Sequence, residues 1–238
     1  MTPAISVIMP AKDRPDAVEN ALRSLRGQSL AKEAYEVLLV DDGSSPPLAE
    51  LLPNDLINDV HLIRLEPNQG PAAARNAALR QAKGRITVLV NSDGILHEDS
   101  LRLHLQHHPE DAPPKSVMGR FDWLEEQQTG FVRLLQQTGA LFPYDSLPHL
   151  EPLSPRSFWT GNLSLPTAEL RRVGGFDETF RHAIWEDVEL GHRLDQAGIP
   201  LIFDSAIKCG HDHPFNLEAH IRRCWKMGYY WAQFSEKH

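Results

Sequence analysis

Hydrophobic residues follow two rhythms along this chain. Short, nearly continuous apolar runs occur at Ile5-Ser6-Val7-Ile8-Met9, Val37-Leu38-Leu39-Val40, residues 60–65 and Ile86-Thr87-Val88-Leu89-Val90. Runs of this length, rich in β-branched residues, predict strands buried on both faces. Pro10 is expected to stop the first of them. Between the runs the apolar period changes to that of a helix. Ala17, Val18, Ala21, Leu22 and Leu25 predict a helix capped by Asp16 and ending near Gly27. A Ser-Pro-Pro turn leads into a short helical stretch through Leu48, Leu51 and Leu52, and strong helix formers run from Ala72 to Ala82 after Gly70-Pro71. This alternation predicts a parallel sheet with right-handed crossovers.

Beyond Gly94 the pattern loosens. Residues 99–108 read as a helix and 115–123 as a strand. Residues 131–155 mix aromatics, Gly and Pro without a clean period, which predicts a segment lying over a site rather than in a core. Order returns with a strand near 159–165, a helix entering at Thr167, a helix over 188–197 and a short last strand at 201–203. The tail, 217–234, is amphipathic and aromatic. His104 and His108 stand four apart on the 99–108 helix, a spacing that can hold metal, although a solvated face is the expected reading.

Composition narrows the class. The 238 residues are 41% hydrophobic, enough for one sizeable α/β core. A net charge of −8 excludes nucleic acid as the main partner. Two cysteines without a CxxC spacing point to reduced thiols. The first strand begins within a few residues of the start and no apolar run is long enough to cross a bilayer, so a cytoplasmic protein is expected.

The candidate chemistry sits where two apolar strands end. One runs into Asp41-Asp42-Gly43-Ser44-Ser45 and the other into Asn91-Ser92-Asp93-Gly94. Ligands bind at the carboxyl edge of open α/β sheets, and acids there can hold ribose hydroxyls, a base N–H or a phosphate-bridging cation. Taken alone, Asp-Asp-Gly-Ser is also a turn whose Asp caps the next element.

The full ordered set is more specific. It comprises residues 5–10, Val40-Asp41-Asp42-Gly43-Ser44, Asn68-Gln69-Gly70-Pro71-Ala72-Ala73-Ala74-Arg75-Asn76, Asn91-Ser92-Asp93, Gly174-Gly175-Phe176-Asp177-Glu178 and Trp185-Glu186-Asp187-Val188-Glu189-Leu190-Gly191-His192-Arg193-Leu194. Together these resemble the family 2 glycosyltransferases, from Ile5 to about His213. The resemblance implies a single α/β domain of the GT-A type, with a mainly parallel central sheet flanked by helices. Residues 1–214 form that domain, 1–112 being the nucleotide-binding half and 113–214 the acceptor and catalytic half. A C-terminal amphipathic helix, 215–238, comes after it.

The resemblance also implies roles. Asp42 receives a base N–H, usually of uracil, and Arg75 lies at the phosphate end of the pocket. Asp93 binds Mn²⁺ or Mg²⁺ under the pyrophosphate of a nucleotide-diphosphate sugar, with His211 on the same metal and His213 close by. Asp187, beside Glu186, is the general base that deprotonates a hydroxyl acceptor (glycan, lipid-linked or protein) for inverting transfer. The segment Pro10-Ala11-Lys12-Asp13-Arg14 and Asn91-Ser92 complete the nucleotide-sugar contacts, and Trp159, Gly161, Asn162 and Trp185 are the acceptor or sugar-binding candidates.

Two departures stand out. Asn91 replaces the first acid of the metal motif and brings no charge to a cation. Lys12-Asp13-Arg14 replaces an aromatic-Asn pair. A non-catalytic relative that holds nucleotide sugar or glycan is therefore the alternative, and Arg75 has a simpler rival role as a surface partner of Glu66. In the tail, Leu217, Ile221, Cys224, Trp225, Gly228 and Trp231 predict one apolar face, flanked by Arg222, Arg223 and Lys226. Packing on the domain or on a partner subunit is the favoured reading of that face, with peripheral contact at the inner membrane face as the alternative.

Overall fold

The structure is a computed structural model describing residues 2–238. Strands and helices alternate as β1 (Ile5–Ala11), α1 (Pro15–Arg26), β2 (Tyr35–Asp42), α2 (Leu48–Leu51), α3 (Asn54–Ile57), β3 (His61–Leu65), α4 (Pro71–Gln81) and β4 (Ile86–Val90). The chain continues through β5 (Gly94–Leu96), α5 (Ser100–Gln106), β6 (Ser116–Trp123), α6 (Gly130–Gln137), β7 (Pro152–Leu153), β8 (Asn162–Pro166), α7 (Thr167–Arg172), α8 (Glu186–Gln196), β9 (Leu201–His211) and α9 (Leu217–Lys237).

One sheet runs β3-β2-β1-β4-β8-β6-β9-β5, with β7 paired to β9. The first four strands are all parallel, as expected of apolar strands linked by helices. Beyond β4 the pairing is mixed: β8 is antiparallel to β4 and β6, whereas β6 and β9 are parallel. The main core cluster runs from Ile5 through Val88 and Leu163 to Cys209, so the parallel strands and the mixed region beyond β4 share one interior.

Several boundaries differ from the sequence expectation for physical reasons. β1 continues through Pro10, which lies opposite Val40 of β2, at a point where pairing with β4 has already ended at Ile8 and one side of the strand is an open edge that tolerates proline. Asp16 does not cap α1. Pro15 takes the first helical position, Arg14 is the N-cap, and Asp16 lies in the acidic first turn. The last strand extends eleven residues to His211, and a register shift at Gly119/Arg120 accommodates Ser205, Ala206 and Ile207. That length carries His211 to the edge where ligands gather.

The 131–155 segment is not simply a cover. It contains α6, capped by Thr129, and buries Val132, Leu135 and Leu141 with Trp123 in a second small core. His104 and His108 are buried rather than solvated. His104 Nδ1 meets Ser164 Oγ at 2.8 Å, His104 Nε2 meets Asn162 Oδ1 at 2.9 Å, and His108 Nε2 meets the same Ser164 Oγ at 2.8 Å. Both ring nitrogens of His104 are thus engaged by β8, and the two histidines fasten α5 to that strand.

The apolar face of α9 is divided. Met227, Trp231 and Phe234 turn toward the domain, where Trp185 Nε1 donates to the Met227 carbonyl at 2.9 Å. Leu217, Ile221, Trp225 and Tyr229 face outward. No helix among the described residues is long and apolar enough to cross a membrane.

Candidate functional site

The parallel strands β1, β2 and β4 end together, and their connecting loops are clasped. Asp13 N–H donates to Ser44 Oγ at 2.8 Å, and Ser45 N–H donates to Asp13 Oδ1 at 3.3 Å. Asp13 and Arg14 both take left-handed backbone conformations, with φ of 55° and 51°. That conformation is costly for residues with a Cβ and is held only where surroundings enforce it. Lys12 is exposed, Ala11 is buried and Pro10 is half-buried at this rim.

The two neighbouring acids after β2 do different work. Asp41 is structural: its carboxylate accepts from Ser44 N–H at 2.9 Å, Leu48 N–H at 3.0 Å and Arg64 at 2.5 Å. Asp42 accepts from the Asn68 amide at 2.6 Å and from the N–H groups of Gln69 and Gly70 at 2.7 and 2.8 Å. These bonds pin the start of α4, whose next turn carries Arg75. Gly70 is required there, since its φ is 94° and a Cβ would lie 2.5 Å from the Arg181 carbonyl oxygen.

Arg75 joins α4 to α8 and to the loop after β4. Its guanidinium donates to Glu186 Oε1 at 3.0 Å and to Asn91 Oδ1 at 3.3 Å, over the ring of Phe176. Glu66, the alternative partner, pairs instead with Arg64. Arg75 and Glu186 are almost fully buried. Burial, together with the adjacent Asp187 charge, pushes the Glu186 carboxyl up to about 7. Burial also raises Asp187, which lies in the first turn of α8 and accepts from Val188 N–H at 2.8 Å. Glu186 Oε2 has no hydrogen-bond partner. Trp185, in the left-handed region with φ of 72°, provides the bend that leads into this pair.

Asp93 lies one turn residue past the half-buried Ser92. The β5–β9 pairing sets Gly94 opposite His211, which brings His211 Nε2 to 3.5 Å from Asp93 Oδ2. His213 Nδ1 lies 3.3 Å from the same oxygen. One ligand atom from each residue falls within 4.8 Å of the others. Both histidines therefore converge on Asp93. Burial opposes ionisation of Asp93, but hydrogen bonds with His211 and His213 outweigh it and hold the carboxyl well below the usual range. Burial lowers His211, favouring the neutral imidazole that metal ligation needs. His211 Nδ1 is buried without a partner. A carboxylate and two imidazoles fit a divalent cation.

Arg14 reaches into the same cluster, a feature that sequence spacing does not reveal. Its Nη1 lies 3.0 Å from Asp93 Oδ2 and 2.7 Å from His213 Nδ1, and its Nη2 donates to the Asp212 carbonyl at 2.8 Å. The guanidinium places positive charge on the donors that a cation would use.

Asp187 lines a cavity of about 540 Å³, whose walls include Trp159, Trp185 and the inner side of α9. The remaining acceptor candidates point elsewhere. Asn162 is buried and donates to the Arg120 carbonyl at 2.9 Å while engaging His104, so it holds strands together rather than facing a ligand. Gly161 lies against Phe121, where a Cβ would come 2.7 Å from the ring, so its role is close packing. Conversely, the lining from α9, including Arg223, is not identified from sequence as part of the site. Its only signal is a basic residue beside an apolar stripe.

A family model described as glycosyl transferase family 2 matches residues 6–153. The chain is 26% identical over 260 residues to validoxylamine A glucosyltransferase of Streptomyces hygroscopicus subsp. limoneus, covering 93% of this chain and 55% of that protein. It is 26% identical over 231 residues to pre-mycofactocin glycosyltransferase of Mycobacterium tuberculosis, covering 92% of this chain and 45% of that protein. The chain thus spans about half the length of these relatives. Among solved structures, S. aureus TarS 1-349 in complex with UDP superposes with a TM-score of 0.65 at 20% identity, covering 86% of this chain and 59% of that one. The mannosyltransferase PcManGT from Pyrobaculum calidifontis, in complex with GDP-Man and Mn²⁺, gives a TM-score of 0.65 at 20% identity, covering 91% and 59%. These likenesses establish the mixed α/β fold expected of the GT-A type.

Proposed function

The chain belongs to glycosyl transferase family 2, and from that premise we propose that it transfers a sugar from a nucleotide-diphosphate sugar to a hydroxyl acceptor with inversion. The observation carrying this reading is the bridge from Asn91 through Arg75 to Glu186. It ties the loop after β4, which leads to Asp93, to the first turn of α8, which carries Asp187, at the carboxyl edge of the parallel strands. Asp42 braces the loop before α4 at that same edge.

In this reading the loops after β1 and β2 hold the nucleotide, with Asp42 and Asp13 near the base. UDP is the favoured carrier, and the nucleotides bound in the two structural neighbours support the diphosphate. Asp93, His211 and His213 would hold Mn²⁺ or Mg²⁺, whose positive charge would offset the charge developing on the departing diphosphate. Arg75 fixes Glu186, and Glu186 shares its burial with Asp187. Asp187, which lines the neighbouring cavity, takes the acceptor proton. Such base catalysis contributes roughly 10²–10⁴-fold.

A second reading, nucleotide-sugar binding without turnover, draws on Arg14 at the cluster and on the uncharged Asn91. A thermal-shift screen of UDP, GDP and their sugars, with and without Mn²⁺, tests both, because a ligand that binds the folded state raises its melting temperature. Stabilisation by a nucleoside diphosphate supports the shared site, and its absence for every nucleotide rejects both readings. Sugar release from the donor that binds then distinguishes an enzyme from a binder.

A further inference from the structure

The cavity beside Asp187 has a composition that selects its ligand. Its aromatic walls are Phe142, Trp159, Trp185, Trp231 and Phe234. Its charged side chains are Asp187, Arg156 and Arg223, its other polar ones are His220 and Cys224, and none of its lining residues is Asn, Gln, Ser, Thr, Glu or Tyr. A saccharide stacks its C–H faces on aromatic rings but also carries a rim of hydroxyls that needs amides, carboxylates and hydroxyls to meet it. This cavity offers one carboxylate and one imidazole, with no amide or hydroxyl side chain. An apolar body, by contrast, gains from every wall it covers.

Arg223 completes the pattern. Its Nε is buried without a hydrogen-bond partner, and its guanidinium carbon stands 6.0 Å from the centre of the Phe142 ring. A buried guanidinium N–H left unpaired is costly, and an oxyanion offsets that cost with a charge-assisted bond. Arg156 adds a second cation on the wall. Resting on the transfer reading, we propose that the acceptor is an amphiphilic hydroxy compound: an apolar or aromatic body lying among Phe142, Trp159 and Trp231, an oxyanion (carboxylate or phosphate) held by Arg223, and one hydroxyl presented to Asp187. In the transfer, the acceptor oxygen bonds to the anomeric carbon as that carbon's bond to the leaving phosphate oxygen breaks. The bonding pair leaves with the nucleoside diphosphate, and the hydroxyl proton passes to the Asp187 carboxylate.

Isothermal titration of the full chain with three probes tests the assignment. These are 6-(hydroxymethyl)-2-naphthoate, its methyl ester and methyl β-D-glucopyranoside. The expected order places the naphthoate about tenfold tighter than the ester, with the glucoside weakest. In Arg223→Gln the acid-over-ester preference falls below about threefold, and in Arg223→Lys part of it returns. Trp231→Ala weakens acid and ester alike. Glucoside binding as tight as the naphthoate's, or an acid preference unchanged in Arg223→Gln, overturns the proposal. The wild-type order decides even if a variant fails to fold. A nucleotide titration on the same samples separates the two levels: absence of nucleotide binding with the probe order intact defeats the transfer reading but not the cavity's selectivity.

Discussion

Arg75 and Glu186 meet at 3.0 Å in the interior, although 111 residues separate them in sequence. Their contact fastens α4, which begins at the Asp42-braced loop, to the first turn of α8, where Asp187 sits. The buried pair is thus both a stability element and the part that sets the position of the proposed base. Arg75→Met would leave Glu186 buried without its cation, a change expected to cost about 3–5 kcal/mol. The Arg75→Met/Glu186→Gln double variant is expected to recover most of that loss, because neither charge remains. Urea melts of the two single variants and the double variant check this, and simple additivity of the two single losses would count against the pairing.

Arg14 and a divalent cation compete for Asp93 and His213 if the cluster is a metal site. Removing the side chain in Arg14→Ala should then tighten Mn²⁺ binding by about tenfold, read by isothermal titration without donor. Unchanged affinity would show that the guanidinium and the cation use different donors.

His104 and His108 are buried and neutral, and burial pushes their pKa values down to about 4 and about 3. The unfolded chain binds their protons near pH 6.5, so the folded state loses ground as pH falls below that value. Each histidine contributes a slope of about 1.4 kcal/mol per pH unit, ending near pH 4 for His104 and pH 3 for His108. Glu186 runs the other way: its raised pKa favours the fold as pH falls from about 7 toward its ordinary 4.5. His108→Gln, which keeps a donor for Ser164, should flatten the acid side of the stability profile by one histidine's share. Chemical denaturation between pH 4 and 7 provides the comparison.

Asn162→Ala separates packing from ligand contact. The substitution strands His104 Nε2 and the Arg120 carbonyl, so a loss of about 1–3 kcal/mol is expected. Binding in the Asp187 cavity should be unchanged, because Asn162 is not among its walls. Trp159→Ala should do the reverse, weakening cavity ligands at modest cost in stability.

Local pattern encodes buried strands and capped helices, and these are the parts legible in the sequence. β4 is expected at residues 86–90 and lies there, because a buried parallel strand is a continuous apolar run. α4 is equally plain from its alanines and Gly70-Pro71. β9 reads too short because Asp204, Ser205 and Ala206 break the apolar pattern where the strand bulges. His104 and His108 read as solvated because helical spacing identifies a face but not what covers it. Asn162 misleads for a related reason: a polar residue on a strand attracts a ligand reading unless its partners, here on α5 and β6, are known. Arg14 is named among the nucleotide contacts, but its place beside Asp93 and His213 is invisible to spacing, since two successive left-handed residues aim it at residues about 200 positions away. The convergence of Asp93 with His211 comes from the resemblance, and the β5–β9 register supplies its structural basis.

The central claim is that Asp187 accepts the proton of an attacking hydroxyl, and donor turnover tests it most directly. With the best-stabilising nucleotide sugar and Mn²⁺, nucleoside diphosphate release is measured for wild type and Asp187→Asn, with nucleotide affinity determined for both. The account expects equal nucleotide affinity and a release rate lower by roughly 10²-fold or more in the variant. Release at the wild-type rate from Asp187→Asn would contradict it.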